Sequence, residues 1–482
     1  PHPRGERAAV VLAAAALALP TLLAGRGVPH RPPPPAAARA PELAPSIVLV
    51  IVDTLRADHA FAAPGEPPRT FDRLAAAGVR FDQAIAASPW TLPSVASLLT
   101  SAHPSRHGAV TRRHPLPAGA ETLAEVLHAE GWETAAFTGG AFLAPDFGLD
   151  QGFEIFDAGA EYHFVPFRGH VPFVWRLIRN RYYPLRFAVR RLGDYGGLPL
   201  LAARLERWLA GRDRTRPFFL LVHTYQVHDY YLYQPAPDDS LRAERGGQPA
   251  PLGNRLTIHP YELQGFPPEV VEWFHAVYRR RIAHVDRELG ALLDRVAGEA
   301  GPGGLVTILT SDHGEGFDPA RGRIHHGSRL HDDLLRVPLV VGAPGRLPAG
   351  HVVAEQVSGV DLMPTVLELA GLPVPAGLAG RSLLRLLAGE ADAPRPAWSE
   401  VHLGPRRRVS LRLPPGKIVE TPEGVRAFRL DLDPPEDEPL PPPLPAPLTA
   451  LWAERETILA PRSAAERDLG GAVRDQLRRI GY

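Results

Sequence analysis

Runs of aliphatic and β-branched residues punctuate the chain, and each stops abruptly. Ser46 to Val52 reads SIVLVIV and stops at Asp53. Phe218 to Val222 (FFLLV) stops at His223, and Leu305 to Leu309 (LVTIL) at Thr310-Ser311-Asp312-His313. Val337 to Val341 (VPLVV) stops at Gly342. Continuous apolar runs of this length are the pattern of strands buried on both faces of a parallel sheet. Residues 269–296 carry apolar side chains at 270, 274, 277, 282, 285, 289, 292 and 296, which predicts an amphipathic helix. Asp286 on that helix is expected on its solvated surface. Strands alternating with helices predict an α/β protein, a large mostly parallel sheet sandwiched by helices. Ligands of such sheets lie beyond the carboxyl ends of the strands. Three of these strands stop at Asp, His or a segment holding both.

The pattern changes at either end. From about residue 396, Val409 to Arg412, Lys417 to Glu420 and Val425 to Leu430 are short strand-like runs with PPG and PEG turns between them. They predict a smaller antiparallel C-terminal subdomain over 396–482. That subdomain carries a Pro-rich loop from Asp433 to Leu448 and a terminal helix from Ser463 to Ile480, capped by Ser463 with Glu466. Near the start, residues 8–24 (AAVVLAAAALALPTLLA) are uncharged and follow Arg4 and Arg7. With a Pro-rich stretch at 31–45 behind them, residues 1–30 read as a signal peptide or N-terminal membrane anchor and 31–45 as a linker. The expectation is an exported protein, periplasmic, extracellular or membrane-anchored. The chain begins at Pro1 and its sole Met is Met363, which points to a native start further upstream.

Composition removes alternatives. The 482 residues hold 53 Lys+Arg against 53 Asp+Glu, which argues against nucleic acid as a partner. Zero Cys excludes disulfides, thiolate metal sites, a Cys nucleophile and a lipoprotein anchor. Neutrality hides an island: residues 162–193 hold seven Arg, eight aromatics and no acid. The island reads either as a cover over the site mouth that touches an anionic headgroup or membrane surface, or as a packed insertion with solvated Arg side chains.

Candidate chemistry gathers at the strand ends. In residues 90–100 (WTLPSVASLLT), Pro93 suits a first helical turn, with Thr91 just ahead of it. Thr91 is either an ordinary N-cap or a hydroxyl held where free N–H groups favour a tetrahedral anion. Asp312 and His313, with Asp53 from another strand end, offer two carboxylates and an imidazole to a divalent cation such as Mn, Zn, Mg or Ca. A metal beside Thr91 would lower its hydroxyl pKa and make it a nucleophile.

The order of motifs resembles the sulfatase branch of the alkaline phosphatase superfamily. These are IVLVIVDTLRADH (47–59), WTLPSVASLLT (90–100), PSRHG (104–108), GLDQGF (148–153), FFLLVHTYQVH (218–228), SDHGEGF (311–317), HHGSRLHDDLLRVPLVV (325–341) and VDLMPTVLELAGL (360–372). The resemblance implies a catalytic domain over 46–395 with a smaller C-terminal sheet, and metal-assisted attack on an anionic ester of sulfate or phosphate, on a lipid or glycan. Carried over by position, Asp53, Asp312 and His313 match metal ligands, Thr91 the nucleophile, and His228 and His326 groups facing substrate or leaving group. His325 and His331 lie close enough in sequence to stand in for His326. His228 serves either as proton donor to the leaving group or as a second-metal ligand. His223 is either substrate-binding or a satisfied buried residue. The departures are equally specific. Thr91 cannot yield formylglycine, Val95 stands where sulfatases carry Arg, and Thr138-Gly139-Gly140 replaces a Lys-containing motif. Thr at the nucleophile position looks like the phosphotransferase relatives, lipoteichoic acid synthases and phosphoethanolamine transferases. The other reading is a non-catalytic binding protein that keeps the fold.

Overall fold

The structure is a computed structural model and describes residues 30–36, 38–158, 197–228, 230, 265–403, 406–431, 436, 440 and 443–460. The apolar runs become strands: β1 (Ser46–Val52), β2 (Val79–Ile85), β3 (Glu133–Phe137), β4 (Ile155–Asp157), β5 (Phe218–Thr224) and β6 (Leu305–Thr310). A small hairpin, β7 (Phe317–Asp318) with β8 (Arg323–Ile324), precedes β9 (Arg336–Gly342) and β10 (His351–Ser358). All but the hairpin form one eight-stranded sheet in the order β10-β2-β9-β6-β1-β5-β3-β4. Within it β9 alone runs antiparallel, pairing so with both β2 and β6.

Helices cover both faces: α1 (Thr70–Ala77), α2 (Thr91–Thr100), α3 (Gly197–Gly211), α4 (Pro268–Ala297) and α5 (Leu362–Leu369). The strand period of two divides β1 between two cores. Ile47, Leu49 and Ile51 pack with Val95 and Leu99 of α2 and Val366 of α5. Val48, Val50 and Val52 pack with Leu205 of α3 and Phe274 and Val285 of α4. The predicted helix over 269–296 is α4. Asp286 is not a solvated acid: its carboxylate accepts the Thr70 N–H at 2.7 Å, tying α1 to α4. Free backbone N–H groups at the start of α1 draw it inward.

Four strands, β11 (Ala397–Leu403), β12 (Arg406–Leu413), β13 (Gly416–Thr421) and β14 (Gly424–Arg429), form the antiparallel C-terminal sheet. β11 carries no clear alternation, so the sequence does not announce it. It docks on the main body where Ser399 Oγ donates to Ala86 O (2.7 Å) and Glu400 N to Ala87 O (2.9 Å). The Pro-rich stretch is held to the body. Trp132 Nε1 donates to Pro45 O at 3.0 Å, and His128 Nε2 lies 2.7 Å from Pro34 O. The apolar stretch at 8–24, the Arg and aromatic island at 162–193 and the expected helix at 463–480 lie outside the described residues. Among the described residues no helix is long and apolar enough to cross a membrane.

Candidate active site

Parallel pairing brings the strand ends together. Ile51 pairs with His223 across β1 and β5 and with Thr310 across β1 and β6. Asp53, His223 and Asp312 therefore meet at one edge of the sheet. The turn after β1 is strained: Thr54 takes φ of 60°, costly for a β-branched residue. Hydrogen bonds hold it there. Thr54 N donates to Asp312 Oδ1 at 3.3 Å, and the Tyr278 hydroxyl of α4 donates to Thr54 O at 2.8 Å. The strained turn thus couples the two carboxylate-bearing strand ends.

Asp53 divides its oxygens. Oδ2 accepts from the Thr91 hydroxyl at 3.2 Å and lies 3.3 Å from His223 Nε2. Oδ1 is buried without a hydrogen-bond partner, and so are Asp312 Oδ2 and His313 Nε2. His313 Nε2 stands 3.7 Å from Asp53 Oδ1 and 3.4 Å from Asp312 Oδ2. His313 Nδ1 faces the Gly314 carbonyl at 2.8 Å, an acceptor only, so that nitrogen carries the proton. In the neutral ring, Nε2 then turns a lone pair toward two carboxylates. Three buried, unpartnered lone-pair donors converging this way would repel one another, and a cation between them removes that repulsion. These residues therefore fit a divalent metal, as a group that could hold one ion.

The carboxyl groups titrate apart. Burial opposes ionisation of Asp53, but the His223 hydrogen bond and the positive charge that His228 and His313 carry when protonated outweigh it and hold the carboxyl well below its usual range. Burial, then the Asp53 charge, pushes Asp312 up. A bound dication would favour the charged form of both.

Thr91 opens α2 as its first residue, not its cap; Trp90 is the cap, with no side-chain cap bond. The Thr91 hydroxyl is thus spent on Asp53 rather than on the helix. Trp90, Phe142 and Phe147 stack edge to face in a row at 5.4 and 5.3 Å, an apolar wall beside it. His223 is wholly enclosed in β5 against Asp53. His228, on the loop after β5, lies ring to ring 5.1 Å from His326, which lies 4.4 Å from His313. His325 adjoins His326 at 4.1 Å, whereas His331 turns away to Phe428 of the C-terminal sheet. Glu315 had no role from sequence, although it stands two residues past His313. Its carboxylate is buried 3.1 Å from His326 Nδ1. Lys417, the single Lys, is buried in β13 on Asp332 and Glu436.

A model of the sulfatase family matches residues 45–372. The chain belongs to the sulfatase family. Among curated sulfatases, Uncharacterized sulfatase YidJ of Escherichia coli (strain K12) is 25% identical over 374 residues, 70% of each chain. Steryl-sulfatase of Homo sapiens is 25% identical over 419 residues, 72% of this chain and 70% of its own. The solved phosphonate monoester hydrolase of Agrobacterium radiobacter superposes with a TM-score of 0.63 at 21% identity. It covers 86% of this chain and 95% of its own, and this likeness shows the sulfatase fold.

Proposed function

We propose that this sulfatase-family hydrolase is metal-dependent and cleaves a sulfate or phosphate ester through Thr91 as nucleophile. The observation that carries the reading is the convergence of Asp53 Oδ1, Asp312 Oδ2 and His313 Nε2, all buried and unpartnered, beside the Thr91 hydroxyl. A divalent cation in that set would supply Lewis acidity, lowering the Thr91 hydroxyl pKa and drawing charge off the ester oxygens. Thr91 Oγ, at the N-terminus of α2, passes its proton to Asp53 Oδ2, which already accepts from it, and attacks the central sulfur or phosphorus as the bond to the leaving oxygen breaks. His228 gives its proton to that oxygen. Water, or an acceptor hydroxyl if the group is transferred, then gives a proton to His228 and takes the group from Thr91, whose oxygen regains its proton from Asp53.

The sulfatase family and the phosphonate monoester hydrolase neighbour both support an ester of a tetrahedral anion. The test is a panel of aryl sulfate, aryl phosphodiester and aryl phosphonate monoester, run on the full chain with Mn, Zn, Mg and Ca. Turnover of at least one substrate, lost on chelation and restored by metal, is expected. No turnover with any metal, on protein that binds none, would overturn the reading in favour of a non-catalytic binding protein.

His228→Ala is expected to lower kcat by about 10²- to 10⁴-fold with a poor leaving group and much less with an activated aryl group, which needs no proton. Equal losses across a leaving-group series would remove His228 from that role.

A further inference from the structure

Three half-buried aromatic rings stand beside Thr91, and the proposed mechanism gives none of them a task. Trp90 directly precedes the nucleophile in the chain. Its ring meets Phe142 edge to face at 5.4 Å, and Phe142 meets Phe147 at 5.3 Å. Phe142 belongs to the loop after β3, where the chain turns sharply. Gly140 takes φ of 79° and Ala141 φ of 51°, a left-handed conformation rare for a residue with a Cβ. Hydrogen bonds on both sides hold the bend. Gly139 N donates to His223 O at 3.1 Å, and Phe142 N to the Tyr225 hydroxyl at 3.2 Å. The Thr138 hydroxyl donates to Leu143 O at 3.1 Å. A strained residue over-determined in this way fixes where its neighbour points, and here the neighbour is Phe142.

We propose that Trp90, Phe142 and Phe147 receive the leaving group, and that Phe142 makes the protein selective for esters of planar, apolar ring alcohols. The inference rests on the proposed function for the places of Thr91 and His228. In an in-line displacement the leaving oxygen lies opposite the attacking one. The aromatic wall spans those two places. Trp90 adjoins Thr91 at one end. At the other, the Tyr225 ring, whose hydroxyl holds the Phe142 backbone, lies 5.6 Å from the His228 ring. The segment after His326 borders the wall as well, since a Cβ at Gly327 would come 3.8 Å from Trp90 Cβ. An alcohol departing beside His228 therefore meets aromatic carbon first.

The chemistry of the wall selects the alcohol. A sugar pressed against it would bury hydroxyls that need partners, and an unpaired hydroxyl is costly. The backbone of the wall has already spent its groups. Phe142 N is held by Tyr225, Leu143 N by Gly140 O, and Phe147 N by Ala144 O. Phe147 O accepts from Leu116 N, and Trp90 O from Ser94 N. What remains is ring surface, on which another flat ring packs offset or edge to face. Arg112 lies over the Phe142 ring, with Cζ 5.4 Å from its centroid, and steadies its orientation. Sites lined by aromatic side chains with few polar groups take apolar ligands.

The test uses the full chain and two esters whose alcohols are closely matched in acidity, p-chlorophenol and hexafluoroisopropanol. The wild type should favour the aryl ester in kcat/KM by at least about tenfold. Phe142→Ala should erase most of that preference, and Phe142→Tyr should keep it. Phe142→Leu, which retains apolar bulk without the ring, should also narrow it, and serves if the alanine variant fails to fold. A purely structural role for Phe142 would lower both esters together and leave their ratio unchanged, which overturns the inference. A wild type that favours the aliphatic ester, or neither, overturns it too and leaves the proposed function intact. Binding supplies a readout that needs no turnover. By calorimetry, benzylphosphonate should bind the wild type at least about tenfold more tightly than methylphosphonate, and Phe142→Ala should lose the difference. If no ester is turned over, the proposed function fails, and this comparison alone decides the aromatic wall: equal affinities overturn it.

Discussion

Thr91→Ala should reduce turnover by about 10⁴-fold or more, with fold and metal content retained, the scale seen when a hydrolase loses its nucleophile. The geometry explains why stability should survive. The Thr91 hydroxyl makes its bond to Asp53 Oδ2, and α2 does not use it as a cap, since Trp90 holds that position. Losing one neutral-to-charged hydrogen bond costs about 1.5–3 kcal/mol at most, and a cation beside Asp53 would offset part of it. Asp53 Oδ1, Asp312 Oδ2 and His313 Nε2 are untouched by the change, so metal should still bind. Thr91→Ser keeps the hydroxyl and should keep measurable turnover. The two variants together separate nucleophile from scaffold. If Thr91→Ala turns over as the wild type does, attack must come from water instead. If it loses metal as well as activity, Thr91 belongs to the ion's coordination and its role as nucleophile is not distinguished by activity alone. A trapped phosphoryl or sulfuryl group on Thr91, read by mass spectrometry of the wild type during turnover, then decides.

The parts of the site legible in the sequence were those set by strand ends. An apolar run must stop where a side chain meets solvent or chemistry, so Asp53 and the Asp312-His313 pair announced themselves. Parallel pairing of β1 with β5 and β6 then made them neighbours, a step the sequence implies only once the topology is known. Glu315 and His325 were less legible, because their meeting depends on the short hairpin β7–β8 and on the left-handed backbone at His325. Neither has a periodic signature. His325, His326 and His331 read alike along the chain; only the fold sends the first two to the site and the third to Phe428. Asp286 misled for a related reason. Its helical position looked solvated, but the start of α1 needed an acceptor for the Thr70 N–H. The reversed strand β9 also escaped the parallel-sheet pattern, since a buried run reads the same in either direction.

The single Lys carries the largest expected loss of stability. Lys417 Nζ is buried 2.7 Å from Asp332 Oδ1 and 2.7 Å from Glu436 Oε1. Asp332 Oδ2 also takes Arg412 Nε at 3.0 Å, and Asp332 N donates to Glu436 Oε2 at 2.7 Å. This network joins β12 and β13 to the segment between His326 and β9. Lys417→Met should cost about 3–5 kcal/mol, because two buried carboxyl groups lose their shared cation. The pH dependence has a definite sign. Burial, with the Asp332 charge, pushes Glu436 up to about 7 despite Lys417. A raised acid contributes stability fully present below its unfolded value of 4.5 and lost as pH rises through about 7. Asp332 is the opposite case. Burial opposes its ionisation, but Lys417 and Arg412 bring it down to about 2, so its contribution holds above 3.8 and fades as pH falls toward 2. Without Lys417, Glu436 must bury a bare charge or stay protonated. The loss in Lys417→Met should therefore be larger at pH 8 than at pH 5, read by denaturant unfolding of the full chain at both values. Glu436→Gln in the same background removes the ionisation and should restore much of the pH 8 loss. A loss that is small and equal at both pH values would show that the network does not carry the joint between the two sheets.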